Sequence, residues 1–508
     1  VSRWTDLDPH PRRRARPTPR PRILAAAVAV AAVASVAAGC SDGPDPVGSD
    51  RDRERPTTTL PEDAFGPGTT PGEPEEPAEP PTVAWVSQFG GTGDDRVAGV
   101  AGRDLSVLAV GTTDGVVGLA PGTSAGGVDA LVAALATEDG SVTTLGQRGG
   151  PGDDAARAVA AATDAREALV CGDTSSALGS PSGLGDAWCA PVDEDGSLGA
   201  VVQSGTTEPD SLDAVSVAPD GSSGMTAGST VGLYPGAQDP TGGLLGVRDA
   251  LVVRVDPVGQ PVWARQFGTA GTDTASAVAP VPDGDAVVAG TTDGALEVEQ
   301  FGAEDGWMAR FDPFGNLRWI TQLGTTAADR FFGVAAGGDA RRGTELFCAV
   351  GSTGGALGDT TLGSEDAVAV AVDATGDRLW TTQFGSAGDD RAAAVATDGG
   401  SVYVAATVGG PVDGAEEAEL PSGVGGLGGR DVLLAGLDAA TGELRWAVQL
   451  GGPGDEEATS LAVTEQGLVV LGGATTGQLA ATPPGGGTDG FVVAFTPPAG
   501  GGGAASSV

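Results

Sequence analysis

The chain has no lysine, one histidine, two methionines and two tyrosines in 508 residues. Each scarcity excludes chemistry. All 27 basic residues are arginine, so no amine side chain can form a Schiff base. The one histidine is His10, near the start. Beyond it there is no imidazole for a Ser-His-Asp triad, a Cys-His pair or a histidine-type zinc site. Carboxylate chemistry alone remains open. Aromatic residues make up 4% of the chain. No apolar run reaches the roughly 20 residues that cross a bilayer as a helix. The longest, Ile23 to Ala38, has sixteen.

That run follows a segment rich in arginine, including Arg12, Arg13, Arg14 and Arg16, and ends in "VAAGC". A basic start, a short apolar stretch and small residues before a cleavage point describe an export signal. The "VAAGC" ending resembles a bacterial lipobox, although Ala37 stands where leucine is preferred. The resemblance implies that residues 1–39 are a lipoprotein signal peptide and that Cys40 carries the lipid. An ordinary signal cut near Ala38, with Cys40 incidental, is the other reading. Either places the protein outside the cytoplasm, and the first on the outer side of the cell membrane or envelope.

Residues 40–82 are dominated by proline and acids and cannot bury a core. They are expected to be a disordered tether, with an upper reach on the order of 130 Å at about 3.1 Å per residue. Residues 500–508 are expected to be a flexible tail. The formal charge is −41. The first 39 residues hold seven arginines against Asp6 and Asp8, which leaves twenty arginines against 66 acids and a charge of −46. A field of that sign repels nucleic acid and anionic lipid. It suits solubility in a salty exterior, or a partner with a basic or polyhydroxyl surface.

What is abundant is ordered. The pattern Gln-x-Gly-x-x-x-x-acid starts at Gln88, Gln147, Gln203, Gln266, Gln322, Gln383 and Gln449, and its acids are Asp95, Asp154, Asp210, Asp273, Asp329, Asp390 and Glu456. Trp85, Trp263, Trp319, Trp380 and Trp446 stand three residues before their glutamines; the second and third copies lack this Trp. After each acid come an Ala/Val stretch, an apolar run ending near Gly-Thr, a variable loop, and a run led by aspartate, as in "DAVAVAV" at Asp366. The sixth copy reads "VAATVGG" where Gly-Thr is expected. Each unit predicts four short strands separated by Gly/Asp/Pro turns. Tandem units of this kind predict an all-β, seven-bladed β-propeller over residues 83–499. The Gln-x-Gly stretch is then the crossing from the outer strand of one blade to the inner strand of the next.

These marks resemble the SBBP repeats, a family named for a seven-bladed β-propeller, over nearly the whole of 83–499. With no Trp strand after the seventh repeat, the ring is expected to close by residues 83–89 supplying the missing outer strand. Cys171 and Cys189 lie on two expected neighbour strands of one repeat, where an exported protein favours a disulfide. Cys348 is expected to be a buried thiol.

The seven repeat acids have two readings: a ring able to bind a cation, of which Ca²⁺ is the candidate, or caps of their own turns. No catalytic, cofactor-binding or metal residue is assigned. The loops between second and third strands face the same side as the crossings. Those at 231–248 and 408–430 are the longest and carry Tyr234, Arg248 and Arg430, the candidate ligand face. Three functions compete. One is an anchored monomeric module that binds or scaffolds envelope proteins or glycans. The others are a carboxylate-dependent glycan-active enzyme and a purely architectural envelope component.

Overall fold

The computed structural model describes residues 79–498, except 119–125, 163–167, 180–182, 194, 242–245, 298–299, 340–343, 359, 421–422, 424–425 and 482–484. The expectations for the signal peptide, Cys40, nearly all of the tether and the tail lie outside these residues.

Seven antiparallel sheets follow one another along the chain. Blade 1 consists of Asp95–Gly102, Ser106–Thr113, Asp129–Ala136 and Val142–Arg148. Its first strand is innermost. The inner strands of the next six blades are Asp154–Ala161, Asp210–Val217, Asp273–Pro280, Asp329–Asp339, Arg391–Thr397 and Glu456–Val463. Each inner strand neighbours the next, and the seventh neighbours the first, so the ring is closed. The last blade is completed from the other end of the domain: Thr82–Phe89 pairs with Asp489–Thr496, Phe89 opposite Gly490. No sheet edge is left unmatched at the seam, which removes a template for aggregation.

The Asp-led strands follow the alternation seen in sequence, but for a different reason from a half-exposed strand. Every residue of Asp366–Val372 is buried. Ala367, Ala369 and Ala371 pack toward blade 6. Val368, Val370 and Val372 pack toward blade 4. The alternation is small against large across two blade interfaces, not polar against apolar.

Tryptophan locks neighbouring blades. The indole N–H of Trp85 donates to the Thr137 carbonyl at 2.9 Å, in a turn of the following blade. Trp263 does the same to Pro313, Trp319 to Ala374 and Trp380 to Ala439, at 3.0, 2.9 and 3.1 Å. The receiving turn needs glycine twice over. Gly442 has φ +72°, and a Cβ there would lie 2.5 Å from the Trp380 ring. Blade 2 lacks the Trp, and its outer strand is only Val202–Ser204. There the turn glycine of blade 3, Gly259, sits against Cys189 instead, with space for no more than hydrogen: an added Cβ would be 2.9 Å from the Cys189 Cβ. Cys189 is joined to Cys171, its register partner on the adjacent strand, with a sulfur–sulfur distance of 2.09 Å. Cys348 is a buried free thiol.

All seven inner strands also carry a bulge between the second and fourth residues after the repeat acid, for example Leu212/Ala214 and Phe331/Gly333. The skipped residues are Ala98, Arg157, Asp213, Ser276, Phe332, Ala393 and Thr459. A bulge re-aims its extra side chain.

Candidate functional site

Each crossing is held by a repeated polar clamp. The glutamine side-chain amide donates to the aspartate that begins the third strand: Gln147 to Asp129 at 2.7 Å, Gln266 to Asp249 at 2.8 Å, Gln383 to Asp366 at 2.7 Å. The same amide also donates to a carbonyl of the loop between second and third strands, such as Gly232 at 2.8 Å. Its oxygen accepts a backbone N–H from that loop, such as Tyr234 at 2.9 Å. One side chain therefore ties the crossing to the variable loop. This role was not visible from the Gln alone.

The repeat acids cap their own crossings. Asp95 accepts the Gly91 N–H at 2.6 Å, Asp154 that of Gly150 at 2.6 Å and Asp210 that of Thr206 at 2.5 Å. Asp273, Asp329, Asp390 and Glu456 accept from Thr269, Thr325, Ser386 and Gly452 at 2.6 to 2.7 Å. A threonine hydroxyl adds a second bond in several blades: Thr174 to Asp154, Thr292 to Asp273 at 2.5 Å, Thr475 to Glu456 at 2.6 Å. The irregular sixth copy replaces it with the Ser386 hydroxyl and the Gly409 N–H, at 2.8 and 3.0 Å from Asp390. All seven acids are buried. Two carboxylates close around the crossing glycines Gly90, Gly149, Gly205, Gly268 and Gly451. A Cβ on Gly90 would lie 2.4 Å from Asp489 and 2.7 Å from Asp95. Burial raises the carboxyl of Asp95 above its ordinary value against the bonds from Thr113 and Gly91, and Asp489 adds to the rise. Asp210, Asp273 and Glu456 are raised by burial too. Among the described residues no three His, Cys, Asp or Glu side chains are grouped to hold a metal.

The candidate ligand residues separate. Tyr234 is not on a ligand face. It is 5% exposed, packs in the core between blades 2 and 3, and shares a 2.7 Å hydrogen bond with the Ser204 hydroxyl. Burial pushes its hydroxyl up to about 12. The two long loops also differ from expectation. Gln238 bridges to Arg265, and Glu416–Glu417 forms a fifth, parallel strand beside Val448 and Gln449. Their length covers the outer edges of blades 3 and 6. Arg430 is exposed, and its backbone receives Glu456 N–H at 2.8 Å. Arg248 is half-buried and does face a cavity.

That cavity, about 760 Å³, opens at the channel end where the crossings lie. Blades 1 to 4 line it, chiefly with Arg157, Asp173, Ser211, Asp213, Ser229, Arg248 and Thr274, and Thr112 comes from blade 1. Its wall is bonded throughout. Arg157 pairs with Asp173 at 2.5 Å. The Ser211 hydroxyl donates to Asp213 at 3.0 Å and meets Ser229 at 3.2 Å, and Arg248 donates to Ser229 at 2.8 Å. Asp213 is exposed to the channel. Desolvation by the surrounding protein raises its carboxyl and Asp173 adds to the rise, opposed by Ser211, Arg157 and, more weakly, Arg248. Further round the ring, Arg96 pairs with Glu457 at 3.0 Å, Arg330 with Glu304 and Glu365, and Arg391 lies over the Phe332 ring at 3.8 Å. The sequence carried this signal unread. One and three residues after the repeat acid, polarity varies from blade to blade, while the second residue stays apolar or small: Val97, Ala156, Leu212, Ala275, Phe331, Ala392, Ala458.

No protein-family model matches the chain, and no curated protein matches it in sequence. Solved propellers do match in shape. The Dos1 propeller is 10% identical, covers 82% of this chain and 95% of its own, with a TM-score of 0.40. Sqt1 from Chaetomium thermophilum is 13% identical, covers 83% and 99%, with a TM-score of 0.41. A periplasmic gluconolactonase of Pseudomonas aeruginosa is 16% identical, covers 76% and 99%, with a TM-score of 0.41. Likeness of this degree assigns no function to the chain. What fold and site define is a seven-bladed β-propeller with a polar channel mouth.

Proposed function

We propose that the protein is an exported, lipid-anchored β-propeller that binds or scaffolds a component of the cell envelope. The anchor rests on the basic start, the apolar run and Cys40 in the sequence. The binding role rests on one observation: the repeat acids, the most conspicuous groups able to do chemistry, are buried and engaged as turn caps. Carboxylates so engaged hold loops in place and do not turn over a substrate. A rigid ring that clamps its loops is a scaffold for recognition.

A catalytic reading keeps one observation in its favour. Asp173 and Asp213 share the mouth cavity, and Asp213 has a raised carboxyl. Two carboxyl groups flanking one cavity are what glycan hydrolysis requires. The test is to immobilise the full chain, pass envelope extract over it, and assay retained glycans for cleavage. Retention of a defined component without turnover supports the binding role. Turnover abolished by Asp213→Asn contradicts it. Fatty-acid labelling of parent and Cys40→Ala tests the anchor.

A further inference from the structure

We infer that the mouth cavity of blades 1–4 receives an uncharged, polyhydroxyl ligand, the exposed end of a neutral saccharide. This deepens the binding-module reading and rests on it.

The wall supplies alternating hydrogen-bond character. At one end is Asp213, an acceptor, and at the other Arg248, a fork of donors, with the hydroxyls of Ser211 and Ser229 between them. Hydroxyls donate and accept, while a guanidinium only donates and an ionised carboxylate only accepts. Neighbouring hydroxyls of a sugar match such a row, one giving its proton to Asp213 and the next accepting from Arg248. Across the cavity the Arg157–Asp173 pair repeats the same acceptor-donor combination. Thr112 and Thr274 add two more hydroxyl-bearing side chains to the lining. The volume lies within the range of small-molecule sites, roughly 300–1,000 Å³.

Charge selects among ligand classes. A cationic peptide segment entering the channel meets a wall of mixed sign, where Arg157 and Arg248 stand among Asp173 and Asp213 and the arginines further round are already paired with Glu457, Glu304 and Glu365. A polyanion meets a domain carrying a large excess of acids, with the buried carboxylate pairs at the crossings close to the mouth. A neutral polyol meets neither repulsion.

The test titrates the full chain with a panel of neutral oligosaccharides built from hexoses and N-acetylhexosamines. It also includes the matching uronate-bearing saccharides, a lysine-rich peptide and an acidic peptide. Binding is read by calorimetry. The expected result is at least one neutral saccharide bound tighter than about 1 mM. Asp213→Ala and Ser229→Ala are expected to weaken it at least tenfold with unchanged melting, and Arg378→Gln, on an outer strand, to leave it unaltered. Three results overturn the inference while leaving a binding module intact: only charged saccharides bind, only a peptide binds, or a neutral saccharide binds equally to both mouth variants. Absence of any saccharide binding to 1 mM overturns it as well. Cleavage of a bound saccharide overturns the non-catalytic reading but keeps the site.

Discussion

Gln88 and Asp489 stand 401 positions apart in the chain and are joined by a 2.9 Å hydrogen bond. It is the clamp that every blade makes, here made between the two ends of the domain. Gln88 also receives the Leu479 N–H at 2.9 Å and donates to the Gly477 carbonyl at 3.0 Å. Trp85, on the same strand, is buried against blade 1. Trp85→Ala is expected to cost about 3–5 kcal/mol. Gln88→Ala is expected to cost about 2 kcal/mol, because it leaves a buried carboxylate short of a donor. Deleting 82–89 should abolish the single cooperative melting transition. A deletion that melts like the parent shows that the ring does not depend on this strand.

The crossing glycines should resist substitution where an ordinary strand glycine does not. A Cβ on Gly149 would come within 1.7 Å of the Asp129 carboxylate, whereas one on Gly146, three residues earlier, meets nothing within 4 Å. Gly149→Ala is expected to lose about 2–3 kcal/mol as the clamp is forced apart. Gly146→Ala should stay within about 0.5 kcal/mol of the parent. Chemical denaturation of the pair measures both.

The disulfide lies in the one blade whose outer strand is cut to three residues, Val202–Ser204. Denatured Cys40→Ala protein should show one reactive thiol, from Cys348, and three after reduction. Reduction should lower stability by about 3 kcal/mol, given a loop of 18 residues. Three thiols before reduction contradict the bridge. In the native protein Cys348 should not react with alkylating agents, because burial pushes its thiol up and leaves no thiolate.

Acid should stabilise the protein before it unfolds it. Asp95, Asp210, Asp273 and Glu456 have folded carboxyls raised by burial. Their protonated forms favour the fold, so stability is gained as pH falls through the raised values toward the ordinary 3.8 of aspartate and 4.5 of glutamate. Falling net charge acts in the same direction. The opposite group is in the strand-three to strand-four turns. The Thr375 hydroxyl and N–H hold Asp373 below its ordinary 3.8, so its contribution is lost as pH falls below that value. The melting temperature should rise as pH falls from 7.5 toward the ordinary carboxylate values of 4.5 and 3.8, and decline below 3.8. At pH 7.5, 1 M salt should raise it, since screening shortens to about 3 Å. A melting temperature that declines steadily from pH 7.5 downward contradicts the raised carboxyls.

The fold was legible because one geometric problem recurs in each blade and is solved by the same residues each time. Glycine lets two carboxylates approach, the acid caps the turn, and the Trp seats on the next blade's turn glycine. Repetition made the recurring residues visible without any pairing information, while the carboxylates crowding the glycine and the glycine seat of the Trp emerged only from the structure. The mouth was not legible for the complementary reason. Arg157, Asp213 and Arg248 belong to no repeat position with a constant residue, and only the bulges and the closed ring bring them to one cavity. Tyr234 misled because a long loop with an aromatic reads as a binding element. Here the loop folds back along its own blade, and the ring packs between blades 2 and 3, one of the two interfaces without the repeat Trp. The 408–430 loop holds an element its composition did not announce. Its acids at Glu416 and Glu417 build an extra edge strand.

The claim on which the account turns is that the repeat acids belong to the fold and not to a cation or a reaction. Hydrogen exchange of the capped amides tests it most directly. The N–H groups of Gly91, Gly150, Thr206, Thr269, Thr325, Ser386 and Gly452 lie in surface turns but donate to buried carboxylates. Measured in a chelator and again with millimolar Ca²⁺, all seven should exchange slowly, at rates approaching global unfolding and equal in the two conditions. Fast exchange in the chelator that slows only when Ca²⁺ is added would contradict the account and assign the acids to a cation site.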